Sequence, residues 1–516
     1  MKLEAFRNMR ILDFKSPQDK SKMEEALSKS RSQFGKTYKA FIGGKWIDTG
    51  DKITSVNPAN PSEIVGYVAN CTEKEIDMAF DAAENAFKEW RFSKASERAA
   101  YLVKIAKIMD ESRYELDSWM VYEVGKNWIE ADGDVAEAID TLNYYAHEAL
   151  RYSKGYKPYQ VYGEKNEVKY VPIGSGVVIP PWNFPVAILT GMTAAAIVAG
   201  NTVLLKPASI ASVIGAKVAE IFSEAGLPKG VFNFVPGSGS KIGDYLVKSP
   251  RTRFIAFTGS KDVGLRINEL AAKHQEGQKW IKRVILEMGG KDAIVVDETA
   301  DLDAAAEGIV VSAFGNQGQK CSACSRVIAV DAIYDKLIEK ITERAKKIKV
   351  GDTSDFENWM GPVSSDEAFK KITGYIEIGK KEGKLVLGGN RIGNVGFFIE
   401  PTIFAEVGPN SRIAQEEIFG PVLSVIRAKD FDDAVKIFNS TEYGLTGGVY
   451  TKDKNRIKRA KAEFNVGNLY INRKITGALI GVQPFGGFNM SGTDSKSGGR
   501  DYLLLFLQAK SISEKI

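Results

Sequence analysis

A thiol can act as a nucleophile only where its surroundings favour the thiolate and a substrate can reach it. Cys321 lies in Gly318-Gln319-Lys320-Cys321-Ser322-Ala323-Cys324-Ser325-Arg326. Lys320, Gln317 and Gln319 give it a cationic and polar setting, and Gly315 and Gly318 leave room for close approach. The competing reading is a buried structural thiol, the commoner fate of a free cysteine. Cys71, in a polar Asn70-Cys71-Thr72 turn, and Cys324, beside small residues, fit that competing reading.

A nucleophile of this kind needs a base. His147 and His274 both sit in charged helical contexts, so a Cys-His dyad is poorly supported. Glu287 closes the apolar run Val284-Ile285-Leu286 and stands directly before Met288-Gly289-Gly290-Lys291. It is expected to emerge from a strand end into a mobile turn. Apolar walls there would raise its pKa and let it work as a general base through water. The ordinary alternative is a capping or salt-bridging glutamate. Asn183 lies in Pro180-Pro181-Trp182-Asn183-Phe184-Pro185, where Pro185 is well placed to start a helix. An amide held near that helix start suits a developing oxyanion. A turn asparagine satisfying local backbone is the alternative.

For a cofactor, Phe254-Ile255-Ala256-Phe257 leads into Thr258-Gly259-Ser260-Lys261-Asp262-Val263-Gly264. Glycines five apart at a strand-to-helix turn let backbone amides and a helix dipole meet a pyrophosphate. Gly237-Ser238-Gly239 through Gly243 has one residue too many for the usual dinucleotide fingerprint and reads as a turn flanking an adenine pocket. Lys206 follows Val203-Leu204-Leu205, placed to donate to a ribose hydroxyl. Each of these residues taken singly also has a purely structural reading.

The elements that must position these groups form an alternating series. Strand candidates Val177–Ile179, Val203–Leu205, Phe232–Val235, Phe254–Phe257, Val284–Leu286 and Ala293–Val296 are mostly separated by helix-length segments such as Ala211 to Ala225. That alternation reads as a doubly wound parallel sheet, giving an α/β fold class. A second βα series follows Cys321, with Val327–Val330, a helix over about 333–348, Val422–Val425 and a helix over 432–439. Residues 1–150 read as helix-rich with one hairpin, Phe41–Ile47, and a pair of strands outside the main sheet is expected between 151 and 170. The closing run Tyr502–Leu507 reads as an apolar terminal strand that a subunit partner would have to cover.

Length and charge bound the rest. A chain of 516 residues implies two or three domains. Seventy Lys+Arg against 65 Asp+Glu leave a net charge of +5 spread along the chain, which argues against nucleic acid as a partner. Three cysteines make no disulfide framework, pointing to a reducing, cytoplasmic compartment. Glu4, Arg7 and Arg10 interrupt the N-terminus, so no secretory signal is expected. The uncharged stretch Tyr170 to Leu205 is broken by Pro180, Pro181, Asn183, Pro185 and Asn201, so a buried strand, turn and helix are expected in place of a membrane span.

Asn183, Lys206, Gly259-Ser260, Glu287, Cys321 and Gln415-Glu416-Glu417-Ile418-Phe419-Gly420-Pro421 occur in an order and spacing that resemble the aldehyde dehydrogenase superfamily, from about Phe41 to the C-terminus. The resemblance implies two doubly wound α/β domains and a small β flap for oligomerisation. The NAD-binding domain would span 1–150 and 171–289, the catalytic domain 290–490 and the flap 151–170 with 491–516. It implies catalysis by Cys321, Glu287 and Asn183 without a metal. NAD would be held by Lys206, Ser209, Gly259, Ser260 and Gly264, with Pro181 and Trp182 alongside, Glu417 on the nicotinamide ribose and Phe419 against the ring. Many NAD-preferring members have a glutamate where Ser209 stands, so NADP stays open.

Within the superfamily, the N-terminal extension, Gly318–Arg326 and Thr476-Gly477-Ala478 with Gln483-Pro484-Phe485-Gly486-Gly487 are most similar to the subgroup that oxidises glutamate γ-semialdehyde to glutamate. That implies a substrate carboxylate held by Ser322 and the amides of Gly477 and Ala478, with Phe184 and Phe485 flanking the methylenes. Other semialdehydes such as succinic, a CoA-acylating relative, a thiol hydrolase and a non-catalytic scaffold are the rival readings. A homodimer or higher homo-oligomer is expected, with a small aldehyde as the only other partner and no membrane.

Overall fold

Five of the apolar runs between residues 175 and 287 hydrogen-bond side by side as parallel strands in the computed structural model, which describes residues 3–516. The order across this sheet is Arg283–Glu287, Phe254–Thr258, Ser175–Ile179, Thr202–Leu205 and Phe232–Phe234, followed by the antiparallel hairpin Ala40–Ile42 and Lys45–Ile47. The chain winds outwards in both directions from Ser175–Ile179. The gap between that strand and Phe254–Thr258 is therefore a topological switch point, where open α/β sheets bind ligands outside the carboxyl ends of their strands. Gly43 and Gly44, with φ of +58° and +80°, make the tight hairpin turn.

A second seven-stranded sheet runs Lys384–Leu387, Thr402–Ala405, Val422–Ala428, Arg326–Val330, Ala293–Val296, Thr446–Tyr450 and Asn468–Ile471. All its pairs are parallel except at the Lys384–Leu387 edge. Both sheets bury near-continuous Val, Ile, Leu and Phe runs on two faces, as parallel sheets covered by helices must. Glu287 is the last residue of its strand in the first sheet, whereas Cys321 precedes a strand of the second. The carboxyl ends of one sheet thus face the amino ends of the other.

The stretch Tyr170 to Leu205 becomes the end of one strand, the strand Ser175–Ile179, the helix Ala187–Val198 and the strand Thr202–Leu205. Among the described residues no helix is long and apolar enough to cross a membrane.

Three expectations are corrected. The region 151–170 holds one strand, Glu164–Pro172, not a pair; its antiparallel partner is the C-terminal strand Leu507–Lys515. The run Tyr502–Phe506 is a 3₁₀ turn and not an edge strand. Part of the run is covered within the chain itself: Tyr502 stacks on Tyr145 with centroids 5.4 Å apart, and Phe506 meets Phe254 edge-on at 5.4 Å, while Leu504 and Leu505 stay partly exposed. Arg283 fixes the turn by donating to the carbonyls of Leu504, Leu505 and Leu507. Finally, the N-terminal region holds a three-stranded sheet, Lys36–Tyr38, Asn60–Ala69 and Lys52–Asn57, beyond the one expected hairpin.

Candidate active site

The turn that carries Cys321 bends the wrong way for ordinary residues. Asn316, Gln317 and Gly318 take φ of 51°, 55° and 65°, a left-handed run that side chains resist. Tertiary contacts hold it. Gln317 donates to the carbonyl of Gly125 at 3.1 Å, Gln319 donates to Gln317 at 3.2 Å, and the Ser364 N–H donates to Gln319 Oε1 at 3.0 Å. A Cβ on Gly318 would lie 2.2 Å from the Gly420 carbonyl oxygen. The two glutamines and the glycine therefore shape the turn.

Lys320 also plays a different part from the one expected. Its ammonium is 2.8 Å from Glu130 Oε1, a partner 190 residues away, and so is already neutralised. The Cys321 thiol is pushed up, not down, by burial first and then by the carboxylates of Asp292, Glu417 and Glu287. The resting group is a protonated thiol, and attack requires an acceptor for its proton.

Glu287 accepts the hydroxyl of Ser495 at 2.7 Å, the N–H of Ser495 at 3.2 Å and the N–H of Gly487 at 3.3 Å. Burial outweighs these bonds and pushes its carboxyl up to about 7. A carboxyl titrating there interconverts between acid and base at neutral pH. Asn183 is buried just beyond the strand Ser175–Ile179, and its side-chain amide donates to the carbonyl of Gln319 at 3.0 Å. The oxyanion-donor candidate thus touches the carbonyl two residues before the nucleophile candidate.

Two cavities meet at Cys321, which lines both together with Thr258 and Met288. The smaller, about 120 Å³, is bounded by Phe184, Glu287, Ser322, Gly477, Ala478 and Phe485. It opens towards a mouth of about 660 Å³ that carries Lys126, Lys320 and Lys474. The larger, about 480 Å³, is bounded by Trp182, Gly259, Ser260, Glu417 and Phe419 and lies at the switch point of the first sheet.

The larger cavity has the features a dinucleotide requires. Ser260 precedes the twelve-residue helix Lys261–Ala272, so free N–H groups and the positive helix end face it. Glu417 reaches in over Gly289, where a Cβ would sit 2.3 Å from Glu417 Oε2, and is oriented by the Gly290 N–H at 2.9 Å. Phe419 holds φ of +61°, with its ring edge-to-face against Trp182 at 5.6 Å. Lys206 is buried with one acceptor, the Pro207 carbonyl at 3.1 Å, and burial pushes its ammonium down to about 8. Two of its donors remain for a ligand.

Some expected cofactor residues lie beyond the lining of this cavity. Pro181, Lys206 and Ser209 are not in the wall of this cavity, although Ser209 opens the 3₁₀ turn whose Ile210 is. Gly264 faces Met288: a Cβ there would lie 2.4 Å from its sulfur, so this glycine serves helix packing. Gly239–Gly243 forms a π-helical turn outside the cavity.

Sequence reasoning missed Lys126, Glu130, Asp134 and Glu137. Glu137 lines the smaller cavity, and burial pushes its carboxyl up to about 8. The signal was present: acids recur at 130, 134 and 137, three and four residues apart, on one side of the helix Trp128–Tyr152. Among the described residues no group of side chains could hold a metal ion.

Comparison with known proteins meets this geometry. A model of the aldehyde dehydrogenase family matches residues 46–512. The 1-pyrroline-5-carboxylate dehydrogenase of Geobacillus sp. (strain WCH70) is 53% identical over 512 residues, covering 99% of each chain. The crystal structure of 1-pyrroline-5-carboxylate dehydrogenase from Thermus with bound NAD has a TM-score of 0.99 at 54% identity and 100% coverage of both chains. Proline utilization A from Bdellovibrio bacteriovorus is similar over 99% of this chain and 53% of its own, with a TM-score of 0.97 and 44% identity. With its thiol standing between two cavities at the facing ends of two parallel sheets, this chain belongs to the aldehyde dehydrogenase family.

Proposed function

We propose that the protein oxidises glutamate γ-semialdehyde, the open form of 1-pyrroline-5-carboxylate, to glutamate with NAD, as a step of proline breakdown. Relatives 52–53% identical over 512 residues carry the name of that activity, and the Thermus structure was solved with NAD. The observation that carries the reading is that Cys321 and Glu287 line one cavity while Cys321 also lines a second. A substrate carbon and a cofactor ring can therefore reach the same sulfur from opposite sides.

Each residue then has a task. Gly259, Ser260 and the helix behind them would hold the pyrophosphate; Glu417 in the cavity wall and Lys206 beyond it would hold ribose hydroxyls, and Trp182 and Phe419 would bound the ring. Bound there, NAD supplies the two-electron acceptor for the substrate carbon. Glu287 takes the thiol proton, and Cys321 sulfur adds to the aldehyde carbon. The Asn183 amide and the Cys321 N–H hold the oxyanion; as it collapses, the C–H bond of that carbon breaks, its hydride leaves to the two-electron acceptor, and the product acid remains as a thioester on Cys321. After passing the thiol proton to solvent, Glu287 takes a proton from a water whose oxygen adds to the thioester carbon; the C–S bond then breaks, the acid leaves and the sulfur regains a proton. Ser322 and the amides of Gly477 and Ala478 receive the substrate carboxylate, a task backbone donors perform without a buried cation. Phe184 and Phe485 enclose the short aliphatic chain.

The cofactor domain corresponds to the first sheet with residues 1–150, the catalytic domain to the second, and the flap to the Glu164–Pro172 and Leu507–Lys515 ribbon. Fully exposed Tyr159 and Tyr162 beside that ribbon support a homo-oligomer, and the free thiols support a cytoplasmic site of action. An NADH-coupled assay across the semialdehydes of glutamate and succinate and simple aliphatic aldehydes tests the substrate. The glutamate compound should give the highest kcat/KM; a higher value for succinic semialdehyde would overturn the assignment.

A further inference from the structure

The helix Trp128–Tyr152 carries Glu130 and Asp134 four residues apart, hence on one face. Glu130 Oε1 accepts the Lys320 ammonium at 2.8 Å, and its Oε2 accepts the Asn316 N–H at 2.9 Å. These donors lie at the two ends of the left-handed turn that leads into Cys321. One carboxylate therefore closes that turn on itself. Asp134 treats the opposite wall in the same way. Its Oδ2 accepts the Lys126 ammonium at 2.7 Å, and its Oδ1 accepts the N–H of Ala187 at 2.6 Å, where the helix after Asn183 begins. The Lys126 ammonium in turn lies 4.2 Å from the centre of the Phe184 ring. The bond from Asn183 to the Gln319 carbonyl joins the two held segments.

We propose that Glu130 and Asp134 are positioning residues: one helix face fixes the separation between the nucleophile turn and the oxyanion-donor segment. The proposal rests on the roles given above to Cys321 and Asn183. Its chemistry follows from acceptor counting. Glu130 accepts from three donors, the third being the Asn127 side-chain amide at 3.1 Å on Oε2, and Asp134 from two; in each case one donor is cationic, and an amide in its place has a single acceptor oxygen and turns an NH₂ towards the remaining donors. One segment would then be released. A displacement of about 1 Å at a reacting centre costs on the order of 10²-fold in rate. A merely structural ion pair would register in stability alone.

The test uses the full-length enzyme with Glu130→Gln and Asp134→Asn, each also made in an Asn183→Ala background. A Lys126→Met/Asp134→Asn pair removes both charges of the buried ion pair, so that an unfolded single variant has a substitute. The readouts are kcat, NADH binding by fluorescence, iodoacetamide alkylation of Cys321 and thermal melting. Each single variant should lose about 10- to 100-fold in kcat, while NADH binding stays within about twofold. Glu130→Gln should alter the alkylation rate and Asp134→Asn should leave it unchanged. In the Asn183→Ala background, Asp134→Asn should cost less than about twofold further, because the donor it places is already gone. Undiminished kcat with only a lowered melting temperature would overturn the proposal, as would fully additive losses in the double variants. Oxidation surviving in a Cys321→Ala control would instead overturn the functional reading beneath it, a result none of the other variants produces.

Discussion

At the scale of single residues, the chemistry depends on a thiol and a carboxyl whose protonation is set by burial. Glu287 is held near pH 7 because desolvation of its charge exceeds three hydrogen bonds to it. The base form grows as pH rises through about 7, so kcat/KM should climb roughly tenfold per pH unit below that value and level off above it. A pH profile measures this directly; a flat profile from pH 5.5 to 7 would contradict the assignment of the base. Cys321, Glu287 and Asn183, which line the two adjoining cavities, could be picked out as candidates from the sequence because each stands beside a strand end, a glycine or a proline that limits what the backbone can do. The direction in which Lys320 points was not legible. Its partner Glu130 is brought to it only by the tertiary fold, and adjacency in sequence says nothing of where a long side chain ends.

At the scale of elements, tight backbone approaches place the site. Glu417 enters the cofactor cavity over Gly289, and a methyl group there would occupy the position of its carboxylate. Gly289→Ala should therefore displace Glu417 and raise KM for NAD about tenfold, the effect of overpacking worth ~1–3 kcal/mol. Alkylation of Cys321 measured alongside should be unchanged, and an unchanged KM would show that Glu417 has no part in the cofactor site. Parallel strands were readable from their unbroken apolar runs. The same signal failed for Tyr502–Phe506, because an apolar run without periodicity does not separate a strand from a buried 3₁₀ turn. The sheet made by Lys36–Tyr38, Lys52–Asn57 and Asn60–Ala69 escaped for the opposite reason. Lys36–Tyr38 is short, Lys52–Asn57 is largely polar, and Asn60–Ala69 opens on Asn60, Pro61, Ser62 and Glu63, so their pairing with one another is what makes the sheet.

At the scale of the whole molecule, two sheets present opposite ends to one another, and the reacting groups occupy the seam. The alternation of strand and helix made two α/β units legible; which ends would face each other was not, since that depends on packing between units. The ribbon of Glu164–Pro172 and Leu507–Lys515 stands apart from both, beside Tyr159 and Tyr162 whose rings are fully exposed. On the proposal that the protein is a homo-oligomer, these rings belong to its subunit contact. Tyr159→Ser with Tyr162→Ser should lower the assembly mass seen by light scattering without changing the circular dichroism. An unaltered mass would remove these rings from the subunit contact.

The central claim is that Cys321 and Glu287 act in succession on one substrate carbon. It is tested most directly by mixing Glu287→Gln with NAD and glutamate γ-semialdehyde and following NADH and protein mass together. The account predicts one equivalent of NADH per site, formed more slowly than in the parent enzyme, then a stall with the acyl group retained on the Cys321 peptide. Steady turnover at the parent rate with no adduct on Cys321 would contradict it.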